Sequence, residues 1–318
     1  MVAVGRPHNS GMGFAAGFIQ GGCLRIAITG GAGYVGAMLV PKLLFLGYEV
    51  TVADLFWFGE NVFPTVKDHP NLRIVKGDIR KREDVWSALR DADMVIHLAC
   101  ISNDPSFDMN PDLGKSINLD CFPMIVDVAQ ECKVKRFIYA SSSSVYGVKQ
   151  ERQVTESMLC EPLTDYSKFK LACEDHLKSL LPGGMDWVIA RPATVCGWSP
   201  RLRLDLIVNA LAISGLVNKK IIVHGGEQQR PNINIKDMVR AYIALIEAPA
   251  SKVAGEVFNI GFENHSVIQI ARQVAKSLYD KDVKIETEPV IDNRSYRVNS
   301  DKIADRIGFK PKHNLGDA

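Results

Sequence analysis

The chain has 318 residues, 47% hydrophobic, 23% charged and 8% aromatic, a balance that buries a large core and excludes disordered, collagen-like and coiled-coil classes. Its 38 basic and 36 acidic residues leave a formal charge of +2 with both signs interspersed, which argues against nucleic acid or an anionic membrane as partner. Seven scattered cysteines without a CxxC pair point to free thiols in a reducing, cytoplasmic setting rather than to disulfides or a zinc site.

Residues 1–22 are Gly-rich and read as a flexible extension, since the apolar patch after Met12 is broken by Gly13 and Gly17 and makes a poor signal peptide. No apolar run reaches the roughly 18 residues that a membrane-spanning helix needs. From Leu24 onward, short apolar and β-branched runs alternate with segments of helical period. They predict strands over 24–29, 49–53, 72–76, 94–98, 137–140 and 187–190, and helices over 34–46, 81–90, 112–132 and 166–180. Crossovers of that length place the strands parallel, so 23–185 reads as a doubly wound α/β (Rossmann) domain. Beyond Asp186 prolines punctuate the chain and helices are predicted over 204–214, 236–246 and 267–277. Residues 186–318 therefore read mainly as a smaller substrate-binding domain, with some segments returning to the first sheet.

Directly after the first strand stand Gly30-Gly31-Ala32-Gly33-Tyr34-Val35-Gly36, a GxxGxxG spacing that opens a helix. Glycine serves a tight turn of positive φ and a close backbone approach to a diphosphate, and the helix amino terminus offers unpaired N–H groups. Gly30, Gly33, Tyr34, Val35 and Gly36 are thus expected to hold a dinucleotide. Asp54 closes the second strand 18 residues past Gly36. A carboxylate there accepts the ribose hydroxyls of NAD and repels the 2′-phosphate of NADP, the alternative being a turn cap. Asp78 and Ile79 after the third strand are placed for the adenine edge, and Leu98 and Ala99 end the fourth where backbone passes close to the cofactor.

The fifth strand runs into Ser141-Ser142-Ser143-Ser144-Val145-Tyr146-Gly147, and 19 residues past Gly147 comes Tyr166-Ser167-Lys168-Phe169-Lys170. Tyr166 and Lys170 share a helix face at i,i+4, whereas Lys168 points elsewhere. A phenol is a poor base near neutrality, but an adjacent ammonium and a cationic nicotinamide favour phenolate. Tyr166 can then take a proton from a sugar hydroxyl that Ser142 also binds; the bland alternative is a chance pair on a helix surface. The histidines show no metal-like spacing, and no metal is expected.

These motifs, with Arg191-Pro192, Arg230 ahead of Ile233-Asn234-Ile235-Lys236-Asp237, and Gly308-Phe309-Lys310-Pro311, resemble the extended short-chain dehydrogenase/reductase family of nucleotide-sugar epimerases and dehydratases. The resemblance implies Ser142, Tyr166 and Lys170 as the catalytic set, tightly held NAD, a nucleotide-diphosphate sugar substrate and a homodimer formed through the helices 112–132 and 166–180. It places Asn118, Ser143, Asn209 and the phosphate-binding candidates Arg201 and Arg230 on the substrate side, Arg203 being as well explained by solvation. It also implies a nucleotide contact from either Arg294 or Arg297. Family dehydratases carry an Asp-Glu pair where Ser143 and Ser144 stand, so the departure favours reversible C4 oxidation, that is, epimerisation. The alternatives are a 4-dehydrogenase of the GDP-heptose type that discharges hydride onto a keto acid, and a non-catalytic dinucleotide sensor on the same fold.

Overall fold

The computed structural model describes residues 23–102, 107, 109–278, 282–289 and 294–318; the expected extension 1–22 lies outside them. A seven-stranded sheet is built from β1 (Arg25–Thr29), β2 (Glu49–Asp54), β3 (Leu72–Lys76), β4 (Met94–His97), β5 (Arg136–Ala140), β6 (Asp186–Pro192) and β10 (Glu256–Ile260). All pairings are parallel, in the order β10-β6-β5-β4-β1-β2-β3. Helices lie on both faces, so the strands are apolar on both sides, as in β4, whose four residues are all buried. The strand order reverses between β1 and β4, which opens a crevice at their carboxyl ends.

Six predicted strands and their helices are present with end shifts of a few residues. The predicted helix 112–132 is instead α3 (Pro111–Lys115), a π-turn (Ser116–Asp120) and α4 (Phe122–Glu131), after α1 (Gly36–Phe45) and α2 (Arg82–Leu89). Pro123 in the first turn of α4 has no N–H to carry an unbroken helix across this junction. α5 (Asp165–Lys178) follows.

Beyond β6 the chain adds what the apolar rhythm did not announce. β7 (Thr194–Cys196), β9 (Gln229–Asn234) and β11 (Glu263–Ser266) form one small sheet, and β8 (Lys220–His224) pairs with β12 (Lys284–Glu288) in another. α6 (Ile207–Asn218) packs here, whereas α7 (Ile235–Glu247) returns to the large sheet and packs on α1. Arg136, buried at the start of β5, donates from Nη1 to the carbonyls of Leu245, Ile246 and Ala248, which closes the carboxyl end of α7. Among the described residues no helix is long and apolar enough to cross a membrane, and no cluster of three metal-ligating side chains occurs. All seven cysteines are free thiols.

Candidate active site

A cleft of about 500 Å³ lies at the carboxyl ends of the strands, between the large sheet and the loops that follow β6 and β7. The glycine turn forms its floor. Gly30 has φ +71°, and a Cβ there would stand 2.5 Å from the Ala99 nitrogen, so β1 and β4 meet only because this residue has no side chain. A Cβ on Gly36 would lie 2.2 Å from the Gly31 carbonyl oxygen, whereas one on Gly33 meets only the Gly30 oxygen at 3.1 Å. The first and third glycines therefore serve packing, and the middle one leaves room at the cleft. α1 begins with no side-chain cap and no acidic residue in its first turn, so its amino terminus offers backbone donors and positive dipole to an anion. This donor set suits the diphosphate of a dinucleotide.

Asp54 lines the cleft at the end of β2. Its Oδ2 accepts from the Ala32 N–H at 2.9 Å and its Oδ1 from the Phe56 N–H at 2.9 Å. Each oxygen keeps a further lone pair, so the turn-capping and ribose-binding roles are compatible. Replacing Asp54 by Ala together with Leu55 by Arg is expected to move the NADPH-to-NADH affinity ratio at least about tenfold towards NADPH, read by nucleotide fluorescence titration. An unchanged ratio would remove Asp54 from the ribose site.

The reactive end is assembled by two elements. The side chain of Thr164 accepts from the Ser167 N–H and that of Ser167 from the Thr164 N–H, a capping box that starts α5 at Asp165 and sets Tyr166 in its first turn. Lys170, one turn on and 3% exposed, donates from Nζ to the Ala140 carbonyl at 2.6 Å, with the Tyr166 ring centroid 5.8 Å away. Ser142 stands two residues past Ala140, just beyond the end of β5; its Oγ accepts from the Ser144 N–H at 3.1 Å and the Ser144 hydroxyl at 2.9 Å, and it also bonds the Tyr166 side chain. Burial holds the Tyr166 hydroxyl above its ordinary pKa of 10, while Lys170, Arg203 and Ser142 pull it down. The expected depression by the ammonium thus exists as an opposing pull, but in the bare chain burial outweighs it.

Beneath this pair lies a buried polar network. Glu174 on α5 receives Nε of Arg191 at 2.9 Å, Nη2 of Arg191 at 2.5 Å and the Ser141 hydroxyl at 2.5 Å. Arg191 Nη1 donates to the Tyr146 hydroxyl at 2.8 Å, which donates in turn to Asn259 Oδ1 at 2.7 Å. α5 is thereby locked to the ends of β5, β6 and β10.

Of the sequence-predicted site residues, Gly30, Gly33, Tyr34, Val35, Gly36, Asp54, Ile79, Leu98, Ala99, Ser142, Ser143, Tyr166, Lys170, Arg201, Arg230 and Arg294 line this one cleft. Four others do not. Asp78 is drawn into a bidentate pair with Arg80, which lowers its pKa. Asn118, in the π-turn, spends its amide on the Ile101 backbone, accepting from N–H and donating to C=O at 2.8 Å each. Asn209 accepts from the Gly197 N–H at 3.0 Å and donates to the Arg203 carbonyl at 2.9 Å, holding the loop and not facing the cleft. Arg297 is exposed away from it, so of the two tail arginines only Arg294 reaches the wall.

Two further cleft residues are Cys100, which bonds Lys170, and Arg203, which donates to the Ser102 carbonyl at 3.3 Å. Cys100 continues the small Leu98-Ala99 run at the end of the fourth strand. Arg203, which the sequence left balanced between phosphate binding and solvation, lines the cleft and its charge acts on Tyr166, which only folding shows. Ser143 and Ser144 both line the cleft, Ser143 pairing with the Tyr296 hydroxyl at 3.2 Å. The carboxylates on the wall, among the described residues, are Asp54 and Asp205, and Asp205 is paired with Arg203 at 2.5 Å.

The NAD dependent epimerase/dehydratase family matches residues 26–261. An uncharacterised protein of Sinorhizobium fredii, y4nG, is 31% identical over 269 residues, which cover 83% of this chain and 62% of that protein. The dTDP-D-glucose 4,6-dehydratase of Mus musculus is 27% identical over 91% of this chain and 84% of its own. The UDP-glucuronic acid 4-epimerase of Bacillus cereus, solved with UDP-glucuronic acid and NAD, superposes with a TM-score of 0.83 at 26% identity, covering 92% of this chain and 96% of that one. With the glycine turn and the Tyr166–Lys170 pair lining one cleft and the family match spanning residues 26–261, the chain belongs to the NAD dependent epimerase/dehydratase family, whose cofactor is NAD.

Proposed function

We propose that the protein is a nucleotide-sugar 4-epimerase. The observation that carries this reading is the cleft's acid–base inventory. Tyr166, Lys170 and Ser142 converge at one end, while serines stand where a dehydratase would need carboxyl groups. Serine hydroxyls bonded to other hydroxyls, with no carboxyl or imidazole beside them, are poor substitutes for the general acid and base that expel a hydroxyl group from the sugar. Tyr166 accepts the proton of the C4 hydroxyl, Ser142 hydrogen-bonds that hydroxyl, and Lys170 keeps a positive charge beside the phenolate. NAD, when bound, accepts the hydride and returns it, so it is regenerated within each cycle. Turning of the 4-keto sugar before the return presents its other face. Arg230 and Arg294 are placed on the wall for the nucleotide diphosphate.

Melting temperatures measured with UDP-, GDP- and dTDP-sugars are expected to rise for one nucleotide series only, because selective binding to the native state stabilises it. With a sugar of that series, the 4-epimer is expected to form without net NADH and without added acceptor. Accumulation of NADH that 2-oxoglutarate discharges would replace this reading with the 4-dehydrogenase. Absence of both turnover and NAD in the denatured protein would favour a dinucleotide sensor. The reading includes a cytoplasmic homodimer joined through α4 and α5, which sedimentation of the full chain tests.

A further inference from the structure

We propose that Arg201, carried on the loop between β7 and α6, binds a phosphate of the dinucleotide cofactor and, stacked on Phe58, clamps it into the cleft. The sequence reading assigned Arg201 to the substrate's diphosphate; its surroundings place it at the cofactor end instead. Two contacts dock its loop on the glycine turn, and a third within the loop ties Arg201 to them. Tyr34 donates from its hydroxyl to the Gly197 carbonyl at 2.6 Å, the Ser199 hydroxyl donates to the Tyr34 carbonyl at 2.7 Å, and the Arg201 N–H reaches Ser199 Oγ at 3.4 Å. Arg201 therefore stands in fixed register with the amino terminus of α1, whose free N–H groups suit an anion.

Its guanidinium carbon lies 3.5 Å from the centroid of Phe58, four residues past Asp54 and 70% exposed. A guanidinium laid on an aromatic face from the opposite side of a cleft makes a bridge across the opening. Arg201 Nη1 donates to the Leu202 carbonyl at 2.6 Å, but its Nε–H is buried with no partner. A buried charged donor left unpaired is costly, so the site is completed by an acceptor brought by a ligand. Burial and the neighbouring Arg203 lower the Arg201 pKa, and Asp54 is among the charges that oppose this, so the guanidinium senses the ribose-binding carboxylate. Arg203, only two positions on, is paired with Asp205 and acts on Tyr166. The two arginines thus divide the cleft, Arg203 at the reacting end and Arg201 over the dinucleotide. An enzyme that regenerates its cofactor in place gains from such a clamp, because the cofactor need not leave between turnovers.

The inference rests on dinucleotide binding at the glycine turn and not on the epimerase reading, so it is tested without turnover. NADH release from the full-length protein is followed by fluorescence for wild type, Arg201→Gln and Phe58→Leu, and affinities for UDP, GDP and dTDP are measured on the NAD-loaded forms. Arg201→Gln is expected to release NADH at least about tenfold faster, and Phe58→Leu several-fold faster, with nucleoside diphosphate affinity within about twofold of wild type. Unchanged NADH release in Arg201→Gln overturns the proposal, and a fall confined to nucleoside diphosphate affinity returns Arg201 to the substrate. Should Arg201→Gln not fold, Phe58→Leu alone decides, because so exposed a ring contributes little to the core.

Discussion

Tyr166→Phe is expected to lower turnover by roughly two to four orders of magnitude, the range removed with a general base, while NAD and nucleotide-sugar binding persist. The side chain keeps its ring against Lys170 and loses only the oxygen that takes the C4 proton. Single-turnover reduction of bound NAD by the cognate nucleotide sugar is the measurement, since it reports the chemical step apart from product release. A variant near wild-type rate would mean that another group removes the proton. The pH dependence follows from the same site. Burial raises the Tyr166 pKa and Lys170 opposes it, so the acidic limb of the rate profile, where the phenol is protonated, should move to higher pH in Lys170→Met. A limb that stays in place or moves to lower pH would separate Lys170 from the titration of Tyr166.

Arg191→Ala is expected to destabilise the fold by roughly 2–4 kcal/mol, because it strips the buried Glu174 carboxylate of its bidentate partner and leaves it only Ser141 and the half-exposed Lys178 at 3.1 Å. Urea unfolding followed by circular dichroism measures this, with Glu174→Gln/Arg191→Met as control. Removing both charges abandons no buried ion, so the double variant should be more stable than Arg191→Ala. A loss below about 1 kcal/mol in Arg191→Ala would show that Lys178 and Ser141 suffice for Glu174. Burial raises the Glu174 pKa, but Arg191, Ser141 and Lys178 more than offset this, and the folded value lies below the ordinary 4.5. A depressed carboxylate stabilises the native state fully above its unfolded pKa, and that contribution fades as pH falls through the folded value. Acid unfolding of the wild type should therefore set in below about pH 4.5, with its pH slope reduced in the double variant. The network also holds Ser141, the neighbour of Ser142, against the helix that bears Tyr166, so a partly unfolded variant should lose catalysis before it loses the sheet.

Much of this protein is legible in order along the chain. The alternation of apolar runs and helical period, the glycine turn, and the i,i+4 spacing of Tyr166 and Lys170 are short-range signals, each complete within a few residues, and they carried the parallel sheet and the pairing of Tyr166 with Lys170 in the cleft. The same locality explains the misses. β9 escapes notice because Gln229–Asn234 is polar and contains Pro231, yet it pairs on both sides with β7 and β11. Asn118 and Asn209 were placed on the substrate side by the family resemblance alone. Their amides are consumed instead by backbone that only the folded chain brings near.

The amino-acid order by itself determined that a dinucleotide-binding sheet would form and that a tyrosine and a lysine would share a helix face at its edge. Tertiary structure alone decided which arginines line the cleft and what each of them touches, whether burial or charge governs the Tyr166 hydroxyl, and which serines face the cleft. These depend on contacts between residues far apart in the chain, such as Arg201 with Phe58 and Glu174 with Ser141. Pairings of that kind are set by packing of the whole core, which no local pattern encodes.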